Sequence, residues 1–382
     1  MAISKAVKWI PFPLPATPQA PSAPSHVPES AALGPVLGAD EKQFGLENFG
    51  NTCYANSVLQ SLYFCQPFRD LVLSEPAPTH SPDPFPPIPS HPPTLFSALR
   101  SLFMYISNNL QDKGVVSPTA FIQKLRDLNE LFRSSMHQDA HEFLNYLLNR
   151  IVEEIQNDRN HRDGPLDASH EDPPTSSSSG ASQSHDPTLV QRLFEGVLTS
   201  ETRCLTCETV TSRDESFLDL SIDIEQNSSV TACLRQFSAS EMLCQKNKFF
   251  CDGCGGLQEA EKRMKIKKLP NVLALHLKRF KYQEDTQKYI KLAYRVAFPL
   301  ELRLFNTVDD APDPDRLYEL FAIVVHIGAG PHHGHYIAIV KGPKGWLVFD
   351  DDKIEPIRES EISKYFGESP AGSAYVLFYA AV

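Results

Sequence analysis

Cys53 is the residue of this chain best equipped for chemistry. Glycines and asparagines crowd ahead of it (Gly45, Asn48, Gly50, Asn51), and apolar residues recur at helical spacing after it (Val58, Leu59, Leu62, Tyr63). That pattern predicts a tight turn delivering a thiol to the first turn of a buried helix. A helix N-terminus stabilises an anion and so favours the reactive thiolate. Asn48, a few residues upstream, offers a side-chain amide to an oxyanion. The segment alone also fits a buried free cysteine acting as a small hydrophobe.

A nucleophilic thiol needs a base and a group to orient that base, and the far end of the chain supplies both. The apolar, β-branched run Leu320–His326 predicts a buried strand, followed by a loop over Gly328–Gly334 and a second strand, His335–Val340, with His335 at its mouth. A third strand, Trp346–Phe349, ends in Asp350-Asp351-Asp352. Adjacent antiparallel strands would bring His335 and Asp350 together. The histidine would take the thiol proton and the aspartate would fix its tautomer and orientation. Four histidines cluster here. His335 is preferred because Gly334 and Tyr336 place it at a loop-to-strand junction; His332 and His333 are read as loop residues and His326 as a satisfied histidine near a strand end.

A second constellation is made of sulfur. Cys204-Leu205-Thr206-Cys207 and Cys251-Asp252-Gly253-Cys254 are two Cys-x-x-Cys knuckles, and together they close a tetrahedral four-thiolate site for one zinc ion. Gly253, Gly255 and Gly256 permit the second tight turn. Four cysteine ligands leave no open position, so this zinc is structural; a redox pair or unrelated thiols are the competing readings. Cys65, Cys233 and Cys244 are ordinary thiols. Between the knuckles, Phe217–Ile224 alternates strictly and predicts one strand.

The elements that must carry these groups follow from patterning. Leu95–Phe103 has amphipathic helix spacing. So does Asp139–Ile151, with Phe143, Leu144, Leu147, Leu148 and Ile151 on its core face, Asp139 at its first turn and His141 as a packing or hydrogen-bonding residue. Residues 1–39 are rich in Pro, Ala and Ser and read as a disordered tail; a proline-rich insert runs from Glu75 to Thr94; an Asp-, Ser- and Gly-rich stretch from about Asn157 to Pro187 reads as unstructured. A chain of 382 residues, 41% hydrophobic, can bury a large core. The net charge of −11 argues against a general nucleic-acid binder. No apolar run approaches the roughly 18 to 20 residues of a membrane span, and prolines from Pro11 leave no signal-peptide core. Eight cysteines used this way fit a reducing compartment, cytoplasm or nucleus.

The cysteine segment, Gln138–Phe143, and Gly334-His335-Tyr336 with Phe349–Asp352 together resemble the ubiquitin-specific protease family over about residues 40–382. Gly196–Cys207 and Leu273–Tyr282 further resemble the subgroup activated by WD-repeat partner proteins. The resemblance implies an α+β, papain-like cysteine protease fold. Its parts are a helical thumb (about 40–188), β-rich zinc-bearing fingers (about 189–272) and a β-sheet palm (about 273–382). It implies cleavage after the C-terminal glycine of ubiquitin. Cys53 is then nucleophile, His335 base, Asp350 orienter and Asn48 the oxyanion-site asparagine. Asp351 matches a residue that assists that site, and Asp139 one that contacts the basic tail of ubiquitin. The implied partners are ubiquitin, ubiquitinated proteins and WD-repeat activators, at least one docking on the fingers. A catalytically silent ubiquitin-binding scaffold, a cysteine acyltransferase and a zinc nucleic-acid module are the rival classes. The acidic balance and the lack of basic–aromatic interleaving oppose the last.

Overall fold

A computed structural model describes residues 42–74, 92–134, 136–162, 186–331 and 333–382. The tail at 1–39, most of the two inserts, and His332 lie outside the described residues.

Seven α-helices are described: α1 (Cys53–Tyr63), α2 (Gln66–Ser74), α3 (Leu95–Ser107), α4 (Thr119–Leu128), α5 (Ala140–Arg162), α6 (Leu189–Phe194) and α7 (Val230–Phe237). Every residue of α1 is buried, including the Val58, Leu59 and Leu62 expected at its core. α3 begins at Leu95, as expected, and Thr94, the last residue of the expected insert, caps it. Its Oγ1 accepts from the Ser97 N–H at 3.0 Å while the Thr94 N–H donates to Ser97 Oγ at 3.0 Å. This reciprocal pair satisfies two N–H groups that a helix start leaves orphaned. The α5 core face is as expected, with Phe143, Leu144, Leu147, Leu148 and Ile151 fully buried. However, α5 continues through Asn157–Arg162, where an unstructured stretch was expected to begin. A helix already nucleated adds one hydrogen bond per residue, and no Gly or Pro interrupts it before Gly164.

Short parallel strands β1 (Gln43–Leu46) and β2 (Lys113–Val116) edge the helical part. Four strands, β3 (Gly196–Cys204), β4 (Val210–Phe217), β7 (Glu241–Leu243) and β10 (Ala260–Lys268), form a separate sheet in the order β4-β3-β10-β7. The hairpin of β8 (Phe249–Cys251) and β9 (Gly256–Gln258) belongs to the same stretch of chain. The large sheet runs β19 (Lys353–Ile357), β18 (Gly345–Asp350), β17 (His333–Gly342), β16 (Leu317–Gly330), β20 (Ser373–Ala381), β11 (Val272–Leu277), β5 (Leu220–Ile222), with β15 (Glu301–Arg303) also on β16. Two small pairs, β12 (Phe280–Gln283) with β13 (Lys288–Lys291) and β6 (Ser228–Ser229) with β14 (Val296–Ala297), complete the described strands.

The large sheet is buried on both faces, which is why its strands read as continuous apolar runs. Ala322, Val324, Ala338 and Val340 join the core shared with α1 to α6. Their neighbours Ile323, Val325, Ile337 and Ile339 join a second core with α7. Two strand expectations are corrected. Phe217–Ile224 is not one strand: β4 ends at Phe217, and Leu220–Ile222 pairs in parallel with β11 in the other sheet. The alternation survives the break because Leu220, Ile222 and Ile224 are buried in the second core. The expected loop at Gly328–Gly334 is mostly ladder, with β16 reaching Gly330 and β17 starting at His333. Gly328 (φ +132°) and Gly334 (φ +141°) let the hairpin carry an irregular register there.

Candidate active site

Cys53 opens α1 and is 2% exposed. Gly50 and Asn51 take left-handed φ values of 72° and 63°, which makes the turn into the helix. Asn48 braces that turn. Its Oδ1 accepts from the Thr52 N–H at 3.0 Å and from Thr52 Oγ1 at 3.2 Å. These two donors orient the amide, so its Nδ2 is the end that faces Asp351 Oδ2, at 2.8 Å. One Nδ2 hydrogen is therefore engaged and the other remains available.

His335 and Asp350 come from adjacent strands. Extending the Ala338↔Phe349 register by one step sets Asp350 opposite Ile337, two residues from His335 and of the same parity. His335 Nε2 and Asp350 Oδ1 lie 2.6 Å apart, leaving Nδ1 for the sulfur. Burial alone would push the Cys53 thiol up. Hydrogen bonding from His137, His335 and the Tyr336 backbone outweighs it and brings the thiol down to about 7. The bond to Cys53, opposed by burial and helped by Asp350, raises His335 to about 9. Between those values the pair is a thiolate beside an imidazolium, titrating as a unit.

Asp351 accepts from Asn48 through Oδ2 and from Asn56 Nδ2 through Oδ1, each at 2.8 Å, and its backbone carbonyl accepts from the Leu46 N–H. It thus ties the β18–β19 turn to both sides of the cysteine turn. Asp139 precedes α5: its Oδ1 caps the His141 N–H at 2.7 Å and its Oδ2 accepts from Tyr375 Oη at 2.6 Å. With His141, Asp223, His276, Phe280 and Tyr375 it lines a cleft of about 500 Å³. His141 bonds Asp219 at 2.7 Å, as a hydrogen-bonding residue should.

His141, Asp219 and His276 come close enough to suggest a cation site. Their geometry opposes it. The two imidazoles stack at 3.6 Å, tilted by 13°. An ion between them would sit about 1.8 Å out of each ring plane, whereas a metal bond of about 2.0–2.1 Å lies in the plane.

His326 is corrected. It is fully buried, but neither ring nitrogen has a partner; its backbone carbonyl accepts from Lys291 Nζ at 2.8 Å. His333 begins β17 rather than lining a loop. The sequence reading missed His137, Asn56 and Tyr375. His137 directly precedes the Gln138–Phe143 motif, the one local signal that could have drawn attention to it.

The four cysteines of the knuckles gather at the end of the four-stranded sheet. Cys204 and Cys254 sulfurs are 4.0 Å apart, those of Cys207 and Cys251 3.5 Å, and all four lie within 4.8 Å of one another. A tetrahedral ion with metal–sulfur bonds of about 2.3 Å requires sulfurs about 3.8 Å apart, so the set fits a closed four-thiolate metal site. Cys65 and Cys233 are buried and Cys244 half-buried, and all eight cysteines are free of disulfides.

A thiol at a helix N-terminus, facing a histidine–aspartate pair on a sheet, is the construction of a cysteine hydrolase. Residues 44–379 match the family model described as "Ubiquitin carboxyl-terminal hydrolase". The chain belongs to that family. It is 50% identical to "Ubiquitin carboxyl-terminal hydrolase 4" of Arabidopsis thaliana, over 91% of this chain and 96% of that one. It is 45% identical to "Probable ubiquitin carboxyl-terminal hydrolase creB" of Aspergillus fumigatus over 91% of this chain. It spans 55% of the length of that creB relative. A chain of the SAGA Ubp8/Sgf11/Sus1/Sgf73 DUB module, solved bound to ubiquitin aldehyde, superposes with a TM-score of 0.69 at 27% identity, covering 90% of this chain and 71% of that one. The fold is that of the ubiquitin-specific protease catalytic domain, with helices α1 to α5 in the thumb, the cysteine-bearing sheet as fingers and the large sheet as palm.

Proposed function

We propose that this chain removes ubiquitin from proteins by cysteine-dependent hydrolysis after the ubiquitin C-terminal glycine. The observation that carries the reading is the Cys53 thiol at the head of α1 beside the His335–Asp350 pair. The thiolate attacks the C-terminal carbonyl of ubiquitin, and His335 gives its proton to the departing lysine amine. Water then hydrolyses the thioester with His335 as base. The free Nδ2 hydrogen of Asn48 and backbone N–H groups near Cys53 serve the oxyanions, with Asp351 holding Asn48 in place. Asp139, in the cleft beside Tyr375, takes a basic residue of the ubiquitin tail. The solved relative carrying ubiquitin aldehyde supports a ubiquitin ligand. The four knuckle cysteines hold one structural zinc, which would pin β3 to the β8–β9 hairpin. Eight free cysteines favour cytoplasm or nucleus.

A silent scaffold has no observation in its favour, because the candidate catalytic groups are aligned. The same alignment removes one motive for activation by a partner: the hairpin beside His335 is laddered, not a loose loop. WD-repeat activation instead finds support in the fingers, where Leu205, Val210, Met242, Phe250 and Leu257 stand exposed. Such side chains suit a partner surface. A partner that binds the active form better should raise kcat more than it lowers KM. The test of the central reading is ubiquitin bearing a C-terminal electrophile. It should label wild-type protein at Cys53 and leave Cys53→Ala unlabelled; failure to label the folded wild type overturns the assignment.

A further inference from the structure

Lys291 ends β13 and spends its charge on backbone. Its Nζ donates to the His326 carbonyl at 2.8 Å and to the Gly328 carbonyl at 2.9 Å. Among the described residues it forms no ion pair with a carboxylate. Burial, and then the neighbouring Arg279 charge, brings it down to about 8. An ammonium drawn part-way out of water without a counter-ion costs stability, and two backbone carbonyls are its whole return.

Those carbonyls flank Ile327, the residue paired across the ladder with His335. Directly beyond, the register slips between Ile327 and Gly330. The two backbones nearly touch there: a Cβ on Gly328 would stand 2.9 Å from the Gly334 Cα, and Gly334 directly precedes His335. Bulges re-aim a side chain and are frequent beside active sites. The hairpin that supplies Lys291 also meets this strand a second time. Phe280, the cross-strand partner of Lys291, packs edge-on against the His326 ring, centroids 5.1 Å apart.

We propose that Lys291 is a positioning residue for the catalytic base: its side chain holds the His326 and Gly328 carbonyls and so fixes the bulge from which His335 is aimed at Cys53. The inference rests on the reading of His335 as base. Lys291 itself touches neither the sulfur nor the Asp350 carboxylate. The charged and titratable groups facing it are Arg279 and His326. Burial holds His326 at about 2, so that ring is neutral at working pH, and Arg279, brought by burial to about 10, keeps its charge. An ammonium has three N–H donors and a neutral amine two. Both carbonyls therefore stay held when Lys291 loses its proton near pH 8, and the alkaline limb of the reaction remains that of His335.

Lys291→Met keeps the length and the apolar stem but neither donor nor charge. Its kcat and KM for ubiquitin–fluorophore hydrolysis are followed from about pH 6 to pH 10. A misplacement of about 1 Å costs on the order of a hundredfold, so a loosened bulge should lower kcat by at least about tenfold. KM should stay within about twofold of wild type, because the cleft around Asp139 and Tyr375 is built without Lys291. The alkaline limb gives the sign. A partner within reach shifts a pKa by about one to three units, and a loosened His335 gives part of that back, so the limb should fall from about 9 by at least about half a unit. Loss of the Lys291 charge alone acts the other way: with His335 still in place, removing a nearby cation favours the imidazolium and moves the limb outward. Should the Met variant not fold, Lys291→Ala, which lets water reach the two carbonyls, gives the same reading. An alkaline limb unmoved or moved outward, a kcat within about twofold of wild type, or a loss confined to KM overturns the proposal. A wild type that hydrolyses no ubiquitin conjugate overturns the reading of His335 and this inference with it; an active wild type beside an unaffected variant overturns this inference alone.

Discussion

Asp350→Asn should slow ubiquitin hydrolysis by about tenfold, far less than loss of Cys53 or His335. The substitution keeps shape and an acceptor but removes the charge 2.6 Å from His335 Nε2. A hydrogen bond between charged groups contributes about 1.5–3 kcal/mol. The Asp350 side chain is 48% exposed, so solvent screening places it at the low end, about 1.5 kcal/mol. At 1.36 kcal/mol per pKa unit, His335 should fall from about 9 by roughly one unit. Asp351, its side chain 11% exposed and 3.9 Å from the same nitrogen, remains to hold part of the imidazolium charge. The assay is kcat/KM for ubiquitin–fluorophore hydrolysis from about pH 6 to pH 10. Wild type should rise through about 7 as Cys53 ionises and fall through about 9 as His335 loses the proton it owes the leaving amine. Asp350→Asn should pull only the alkaline limb inward. A loss beyond about a thousandfold, or an alkaline limb that does not move, would refute the exposure argument.

Gly334→Ala should cost activity even where the fold survives. Its Cβ would stand 2.4 Å from the Ile327 carbonyl oxygen and 2.7 Å from His326 Nε2, at φ +141°, one residue before His335; a strain of about 1–3 kcal/mol should appear as a kcat loss of at least about fivefold, and a variant of wild-type kcat would contradict it. Arg279→Met should destabilise by about 3 kcal/mol or more in urea denaturation, because the fully buried guanidinium serves the carbonyls of Ala374, Leu292, Tyr294 and Phe366; an unchanged midpoint would show those carbonyls find other donors. Elemental analysis of protein purified without added metal should find one zinc per chain, lost in Cys251→Ser together with finger stability; a well-folded, active preparation without metal would exclude the structural ion.

The parts legible in the sequence were those whose signals are local or long and ordered. The turn before Cys53, the apolar palm strands and the two sulfur knuckles all announce themselves within about a dozen residues. The neighbourhood of His335 and Asp350 followed from strand adjacency alone. What escaped was non-local. His137 meets Tyr336 and His326 from a segment nearly two hundred residues away in sequence, and no pattern around it records that. Asp139 showed its place at the start of the helix but not its bond to Tyr375, 236 residues on. The break at Leu218–Asp219 was invisible because burial on two different sheets kept one alternation running. The ladder through Gly328–Gly334 was hidden by glycines, which signal a loop and a bulged strand alike.

The position of β20 between β16 and β11 has a kinetic consequence. The antiparallel partner of β11 lies about a hundred residues downstream, and the Asn48–Asp351 clamp spans 303 residues. Loops of that size close late, after local helices and hairpins have formed. Under the proposed mechanism, a nascent or clipped chain that lacks residues 317–381 holds a thiol with neither base nor orienter. On that reading, competence arrives only with the finished palm.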